Sequence, residues 1–397
     1  MRRDRFGSVP EPTNAAADKG SAFCYAALVN IGITCYPTYG GSGIVATELG
    51  VELAARGHEV HFITYSNPIR LDPGIPRIHY HEVEVSNYPL FQYPPYCLAL
   101  ASRMANVAAA YNLDLLHVHY AIPHSISALL AQQMSANRRL PFVTTLHGTD
   151  ITLVGMDRSY FSITKFSIEQ SDGITAISDY LQKQTVDVFG VANDIRVIHN
   201  FVNCDVYRPD PDRPQEKLLI HLSNFRPVKR VLDCIRILKE VRRVTPARLL
   251  MVGDGPDRSP AEMLAHELGI GEFVEFMGKQ DHVERLISKA HVLLMPSEME
   301  SFGLAALEAM ACGVPPVGTR TGGVTELITH EVDGFVEAVG DISAQAARVI
   351  SLLTDEQLYR RMSAAARHTA ENRYSTTMII PQYERYYEEV CAGGSRT

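Results

Sequence analysis

Glu300 and Glu308 stand eight residues apart in the run Glu-Ser-Phe-Gly-Leu-Ala-Ala-Leu-Glu. An apolar segment, Val292–Met295 followed by Pro296-Ser297, precedes them and reads as a buried strand. Leu304–Ala311 follows and reads as a helix of small and apolar residues closed by Gly313. Glu300 is therefore expected in a loop above a strand, and Glu308 about two turns into the helix. Eight steps of roughly 100° bring both acids near one face. Between them Ser301, Phe302 and Gly303 offer backbone N–H groups at a helix start, which is a seat for phosphate. Acids that accept from hydroxyls, beside a helix end that meets a diphosphate, suit a nucleotide sugar.

Other segments could complete such a site. Ser223-Asn-Phe-Arg-Pro-Val-Lys-Arg230 places Arg226 and Lys229 just after an apolar run. A forked guanidinium and a point-charge ammonium both suit phosphate oxygens, and the alternative is a solvated basic turn. Tyr39-Gly-Gly-Ser-Gly43 brings Gly41, Ser42 and Gly43 to the start of a helix, where backbone can approach an anion. It is neither Gly-x-Gly-x-x-Gly nor a phosphate loop with its Lys-Ser/Thr, and it equally reads as a tight strand-to-helix turn. Thr144-Thr-Leu-His-Gly-Thr-Asp150 sets His147 at a strand end, with Thr145 just before it and Thr149 or Asp150 able to cap a helix. In His117-Val-His119-Tyr120 the two histidines are read as pointing to opposite faces of a strand, which argues against a shared metal. His119 and Tyr120 are expected at the cleft and His117 in the core. Met251-Val-Gly-Asp-Gly-Pro256 places Gly253 at a strand-end turn, with a structural role as plausible as a ligand contact.

These motifs need elements to hold them. Strand-like runs alternate with helical ones: Leu28–Thr34, His58–Tyr65, Ile78–Val85, Leu113–His119, Phe142–Leu146, Gly173–Ile177 and Arg196–Ile198 read as strands. Ile44–Arg56 (ended by Gly57), Tyr96–Tyr111 and Tyr180–Phe189 read as helices. Asp205–Pro214, with three prolines and three aspartates in ten residues, reads as a linker. The alternation then restarts at Leu218–Leu222, Arg248–Val252, Phe273–Met277, Val292–Met295 and Pro315–Gly318. The pattern predicts two doubly wound α/β domains, 23–206 and 207–375, with 376–397 packing back on the first. In such sheets ligands bind beyond the carboxyl ends of the strands, where these motifs fall.

Composition narrows the options. The chain has 397 residues, too long for one ordinary core, and a formal net charge of −8 that argues against a general nucleic-acid binder. Seven cysteines without metal-ligand spacing, and no signal-like apolar core, suggest a reduced cytoplasmic setting. Residues 1–22 read as a disordered tail. No segment reaches the ~20 apolar residues of a membrane span. Oligomeric state is left open, a homodimer among the options.

Together these motifs resemble the retaining glycosyltransferases of family four, of GT-B architecture, over about Ala26 to Tyr387. A narrower resemblance joins the chain to members of that family in bacillithiol biosynthesis. Ile31–Pro37, Gly40–Gly50, Tyr93–Tyr96, Thr144–Asp150 and His221–Arg226 carry it, while Asp157-Arg158 departs from the family's Asp-Pro. The resemblance implies transfer of N-acetylglucosamine from UDP-N-acetylglucosamine to the hydroxyl of L-malate, with retention; no Asp-x-Asp stands beside the basic loop, so no metal or cofactor is expected. It implies that Glu308 binds the ribose and Glu300 the sugar. Arg226, Lys229 and N–H groups near Phe302, Gly303 and Leu304 would hold the diphosphate, and His147 would meet the donor sugar. L-malate, a dianion, needs donors on the first half. Gly41, Ser42 and Gly43 are the best candidates, with Tyr96, His119, Tyr120 and Thr145 as helpers. A UDP-N-acetylglucosamine 2-epimerase, a family member with another acceptor and a non-catalytic sugar-nucleotide binder are the alternatives.

Overall fold

The computed structural model describes residues 28–393, apart from 73, 87–88 and 136–137 and the side chains of 153–154. The segment 1–22, expected to be a disordered tail, lies outside the described residues. Two all-parallel sheets make up the fold. The first contains β1 (Asn30–Thr34), β2 (Glu59–Thr64), β3 (Ile78–Glu82), β4 (Leu115–His119), β5 (Phe142–Leu146), β6 (Gly173–Ala176) and β7 (Arg196–Val197), in the order β3-β2-β1-β4-β5-β6-β7. The second contains β8 (Leu218–Ser223), β9 (Arg248–Gly253), β10 (Val274–Gly278), β11 (Val292–Met295), β12 (Pro316–Thr319) and β13 (Phe335–Glu337), in the order β10-β9-β8-β11-β12-β13.

The inner strands read as near-continuous apolar runs because helices cover both faces of each sheet. β4, β5 and β11 are buried along their whole length. Strand order reverses between β1 and β4 and again between β8 and β11. Those switch points open a crevice beyond the strand ends. The observed elements begin and end within a few residues of the expected ones, with two differences that matter. The first helix, Gly41–Ala55, starts inside the glycine loop rather than at Ile44. The edge strand β13 was not anticipated; three residues carry too little pattern to register.

The last helix, Thr376–Cys391, lays Ile379, Ile380, Tyr383 and Tyr387 against Ile31, Ile33, Leu115 and Val143 of the first sheet. Tyr386 donates its hydroxyl to the Ile174 carbonyl (3.1 Å) and accepts from the Ile174 N–H (2.8 Å). The chain thus crosses between sheets twice, and the crossings are tied together. Val202 N–H donates to Tyr374 O (2.9 Å), and Thr376 N–H donates to Val202 O (3.2 Å).

Burial also sets the acid response. Desolvation holds His61, His117 and His147 down to about 3, and His81, His124, His221 and His291 down to about 4. These groups are neutral when folded, whereas in the unfolded chain they titrate near 6.5. Between the two values the unfolded state binds more protons, so stability is full above about pH 6.5 and falls below it. Each histidine contributes a slope of up to about 1.4 kcal/mol per pH unit. Buried Asp150, pushed up to about 6, and Glu48, Glu52, Glu308 and Asp333, raised by burial, work in the opposite sense, but the buried histidines outnumber them. The melting temperature is expected to drop clearly from pH 7.5 to 5.5. A flat profile in differential scanning fluorimetry would contradict this.

Candidate active site

The crevice holds a cavity of about 790 Å³ whose walls come from both sheets. The second-sheet wall carries Arg226 and Lys229 after β8, Gly253 after β9, and Glu300, Gly303, Leu304 and Glu308 after β11. The first-sheet wall carries Gly40, Gly41 and Ile44 after β1, and Arg70 after β2.

Lys229 closes a short 3-10 turn, Pro227–Lys229, and donates to Glu300 Oε1 at 2.5 Å. Ser297 Oγ donates to the same oxygen at 2.8 Å. Glu300 itself lies in the loop before the helix Leu304–Ala311. Helical phase therefore does not relate it to Glu308, contrary to the spacing argument; Lys229 and Ser297 place it instead. Arg226 is exposed, and among the described residues no ion pair engages it. Gly303 caps the helix at φ 97°, a backbone conformation that favours glycine, and no side chain occupies the cap. Ala306 and Leu307 N–H donate to the Gly303 carbonyl (2.9 and 3.1 Å), which leaves the N–H groups of Leu304 and Ala305, two residues of the cavity lining, without a partner among the described residues. Phe302 is not among the residues lining the cavity, and its ring is buried against His199 and Tyr374. Ser301 accepts at its carbonyl from Ser178 Oγ (2.7 Å).

Glu308 is buried and accepts from the Tyr207 hydroxyl at 2.7 Å. Arg70 lies 3.7 Å from Glu308 Oε1 and 3.7 Å from Glu48 Oε1, and donates to the Tyr207 hydroxyl at 3.0 Å. Burial pushes the Glu308 carboxyl up, while the Arg70 cation opposes that shift. A buried acid with an arginine beside it and a free edge on the cavity can accept from a diol.

On the first-sheet side Gly41 and Ser42 open the helix Gly41–Ala55, while Gly43 is buried beneath them. Tyr120 shares its hydroxyl with Thr149 Oγ1, and burial pushes that phenol up. Tyr96 packs edge-on against Tyr65, with its own hydroxyl sealed and unpartnered among the described residues. His147 follows β5, retains 8% exposure and stacks 5.9 Å from the Tyr120 ring; neither residue is among those lining the 790 Å³ cavity.

Two acceptor expectations need correction. Thr145 is fully buried and its hydroxyl pairs with His117 Nε2 (2.6 Å) and Thr175 Oγ1 (2.6 Å), beneath the last helix and away from the cavity. His119 is also fully buried and pairs with His147 rather than reaching the cleft. The histidine geometry is corrected with it. Side chains two residues apart on a strand share a face, and the His117 and His119 rings lie 4.4 Å apart on the same side of β4.

Sequence reasoning missed Arg70, Glu48 and Tyr207. Arg70 follows β2 in a turn with φ 65°, so inspecting every strand end would have flagged it. Tyr207 was absorbed into a linker, yet it is 5% exposed and belongs to the core. Tyr39 reaches across the crevice to Asp281 (hydroxyl to Oδ1, 2.7 Å), with the Lys279 ammonium 5.3 Å over its ring.

Two glycines are required by close approach. At Gly253 (φ 124°) a Cβ would stand 1.8 Å from the Ser223 carbonyl oxygen. At Gly148 (φ 124°) it would stand 1.8 Å from Ser301 Oγ, across the crevice. Gly148→Ala is expected to hold the walls apart and to cost about 1–3 kcal/mol of strain where they meet. The catalytic efficiency should fall at least tenfold, with a smaller change in melting temperature; unchanged kinetics would show that the walls need not meet there.

Comparison with known proteins accords with this geometry. Residues 39–206 match the family model described as Glycosyltransferase Family 4, and residues 205–369 match Glycosyl transferases group 1. The chain is 48% identical over 371 residues to N-acetyl-alpha-D-glucosaminyl L-malate synthase of Bacillus anthracis, covering 91% of this chain and 97% of that one. It is 25% identical to a D-inositol 3-phosphate glycosyltransferase of Mycobacterium marinum, over 90% of this chain and 84% of that one. Among solved structures, sucrose-phosphate synthase from Thermosynechococcus elongatus superposes with a TM-score of 0.76 at 22% identity, covering 92% and 100% of the two chains. The glycosyltransferase WaaG gives a TM-score of 0.71 at 18% identity, over 90% and 99%. The two-sheet arrangement is the GT-B fold. Among the described residues no helix is long and apolar enough to cross a membrane.

Proposed function

The chain belongs to the family 4 glycosyltransferases, and from that premise we propose that it moves N-acetylglucosamine from UDP-N-acetylglucosamine to the hydroxyl of L-malate, an early step towards bacillithiol. The carrying observation is the 48% identity to the malate synthase over 91% of the chain. The cavity supports it. Its second-sheet wall offers cations and free helix N–H groups for a diphosphate, and Glu308 for a ribose. Its first-sheet wall offers the glycine-loop helix start for a dicarboxylate.

In this reading the bond from the anomeric carbon to the diphosphate oxygen breaks, and UDP leaves with the electron pair. The malate oxygen bonds to the same face, and its proton passes to the leaving phosphate. Negative charge grows on the leaving group, so Arg226, Lys229 and the Leu304–Ala311 helix end stabilise the transition state more than the ground state. Glu300 is held by Lys229 at the sugar side, and His147 meets a sugar oxygen. No enzyme nucleophile is invoked. We read the diphosphate charge as met by these groups rather than by a metal, so turnover should persist in excess EDTA.

The test is UDP release from UDP-N-acetylglucosamine, measured with L-malate, D-malate, an inositol phosphate or no acceptor. Release that requires L-malate supports the assignment. Release with the inositol phosphate instead would reassign the acceptor. Epimerised sugar nucleotide in the absence of any acceptor would replace the reading with an epimerase.

A further inference from the structure

His119 sits directly behind His147, and the mechanism above gives it no task. Its Nδ1 lies 2.8 Å from His147 Nε2, and the two rings stack with centroids 5.1 Å apart. Its Nε2 is sealed and meets no hydrogen-bond partner among the described residues. The surroundings leave the ring little freedom: His117 packs 4.4 Å from it, and His124 Nδ1–H donates to the His119 carbonyl at 2.6 Å. His147, by contrast, keeps residual exposure, and among the described residues its Nδ1 is neither hydrogen-bonded nor sealed.

A contact between two imidazole nitrogens needs one N–H and one lone pair. Desolvation lowers both rings far below their ordinary value, so both are neutral and a single proton occupies the contact. Two arrangements satisfy it. If His147 donates, the His119 proton is forced onto neither facing nitrogen but onto the sealed Nε2, where it has no acceptor. If His119 donates, the sealed Nε2 holds only a lone pair. A sealed N–H without an acceptor is the costlier orphan. We propose that His119 is a positioning residue: its Nδ1–H donates to His147 Nε2 and so locks His147 as the tautomer that presents Nδ1–H to the cleft. His147 then enters the reaction as a neutral hydrogen-bond donor to a substrate oxygen and not as a base. The hold of one ring on the other is independent of the substrate assignment; the donation to sugar rests on the placement of His147 proposed above.

The test combines tautomer and turnover. In protein labelled with ¹⁵N-histidine, the His147 ring signals, assigned through a His147→Gln variant, should show Nδ1 protonated and Nε2 bare. His119→Leu should release the lock, giving averaged or reversed His147 signals and a catalytic efficiency lowered roughly 10- to 100-fold, about one to two contact energies converted at tenfold per 1.4 kcal/mol. His119→Asn can place an amide N–H where Nδ1 stood and should recover most of the turnover. His119→Gln sets its amide one bond farther along and should not. A protonated Nε2 in the wild-type protein, or an unchanged His147 tautomer in His119→Leu, would overturn the inference. A released tautomer with unchanged turnover would uphold the lock and remove the sugar contact from the proposed mechanism.

Discussion

Lys229→Ala is expected to lower kcat by roughly 100- to 1000-fold, the size seen when one preorganised donor to a developing charge is lost. Its ammonium sits in the cavity wall at a helix-like turn that fixes the backbone, 2.5 Å from Glu300. On the proposed mechanism two consequences follow from one substitution. The leaving diphosphate loses a cation at the moment its charge grows, and Glu300 loses the partner that aims it at the sugar. KM for the donor should change much less than kcat, because the ground-state diphosphate still meets Arg226 and the helix N–H groups. Steady-state kinetics of UDP release decides the point. A rise in KM at constant kcat would make Lys229 a binding residue only, and unchanged kinetics would remove it from the site.

Glu308→Ala is expected to act the other way round, on binding. A hydrogen bond to a charged group contributes about 1.5–3 kcal/mol, so Kd for UDP should rise roughly 10- to 100-fold. The substitution also leaves Arg70 with Glu48 as its remaining carboxylate partner among the described residues and strips the Tyr207 hydroxyl of its acceptor, so some loss of stability is expected as well. Titration calorimetry with UDP and a melting curve separate the two effects. Glu308→Gln keeps the volume and an acceptor, and should fall between wild type and alanine. Unweakened UDP binding in Glu308→Ala would place the ribose elsewhere.

Much of this was legible in the residues. Apolar runs spaced by helical segments imply parallel sheets, because a strand covered on both faces needs no polar alternation. Strand ends rich in glycine and charge pointed to the crevice, and Arg226, Lys229, Gly253, Glu300, Gly303, Leu304 and Glu308 do line one cavity. What stayed hidden depends on contacts distant in sequence. Arg70 gains its meaning from Glu308, Tyr207 and Glu48, none of which is near it in the chain. Thr145 sits at a strand end like a ligand contact, yet its hydroxyl is claimed by His117 and Thr175 on neighbouring strands. Three prolines beside Tyr207 suggested a free linker, although a single aromatic among them was enough to anchor it in the core.

The last helix has a consequence for how the molecule is made. Ile379, Ile380, Tyr383 and Tyr387 complete the core over Ile31, Ile33, Leu115 and Val143, yet they leave the ribosome only after every strand of the second sheet. At about 5–20 residues per second, the nascent first domain waits many seconds with that face uncovered, while the second domain can close its own core first. The order of synthesis is thus the reverse of the order of completion. A stalled or C-terminally truncated chain would carry a finished second domain beside an open apolar sheet, a species that favours chaperone capture over release.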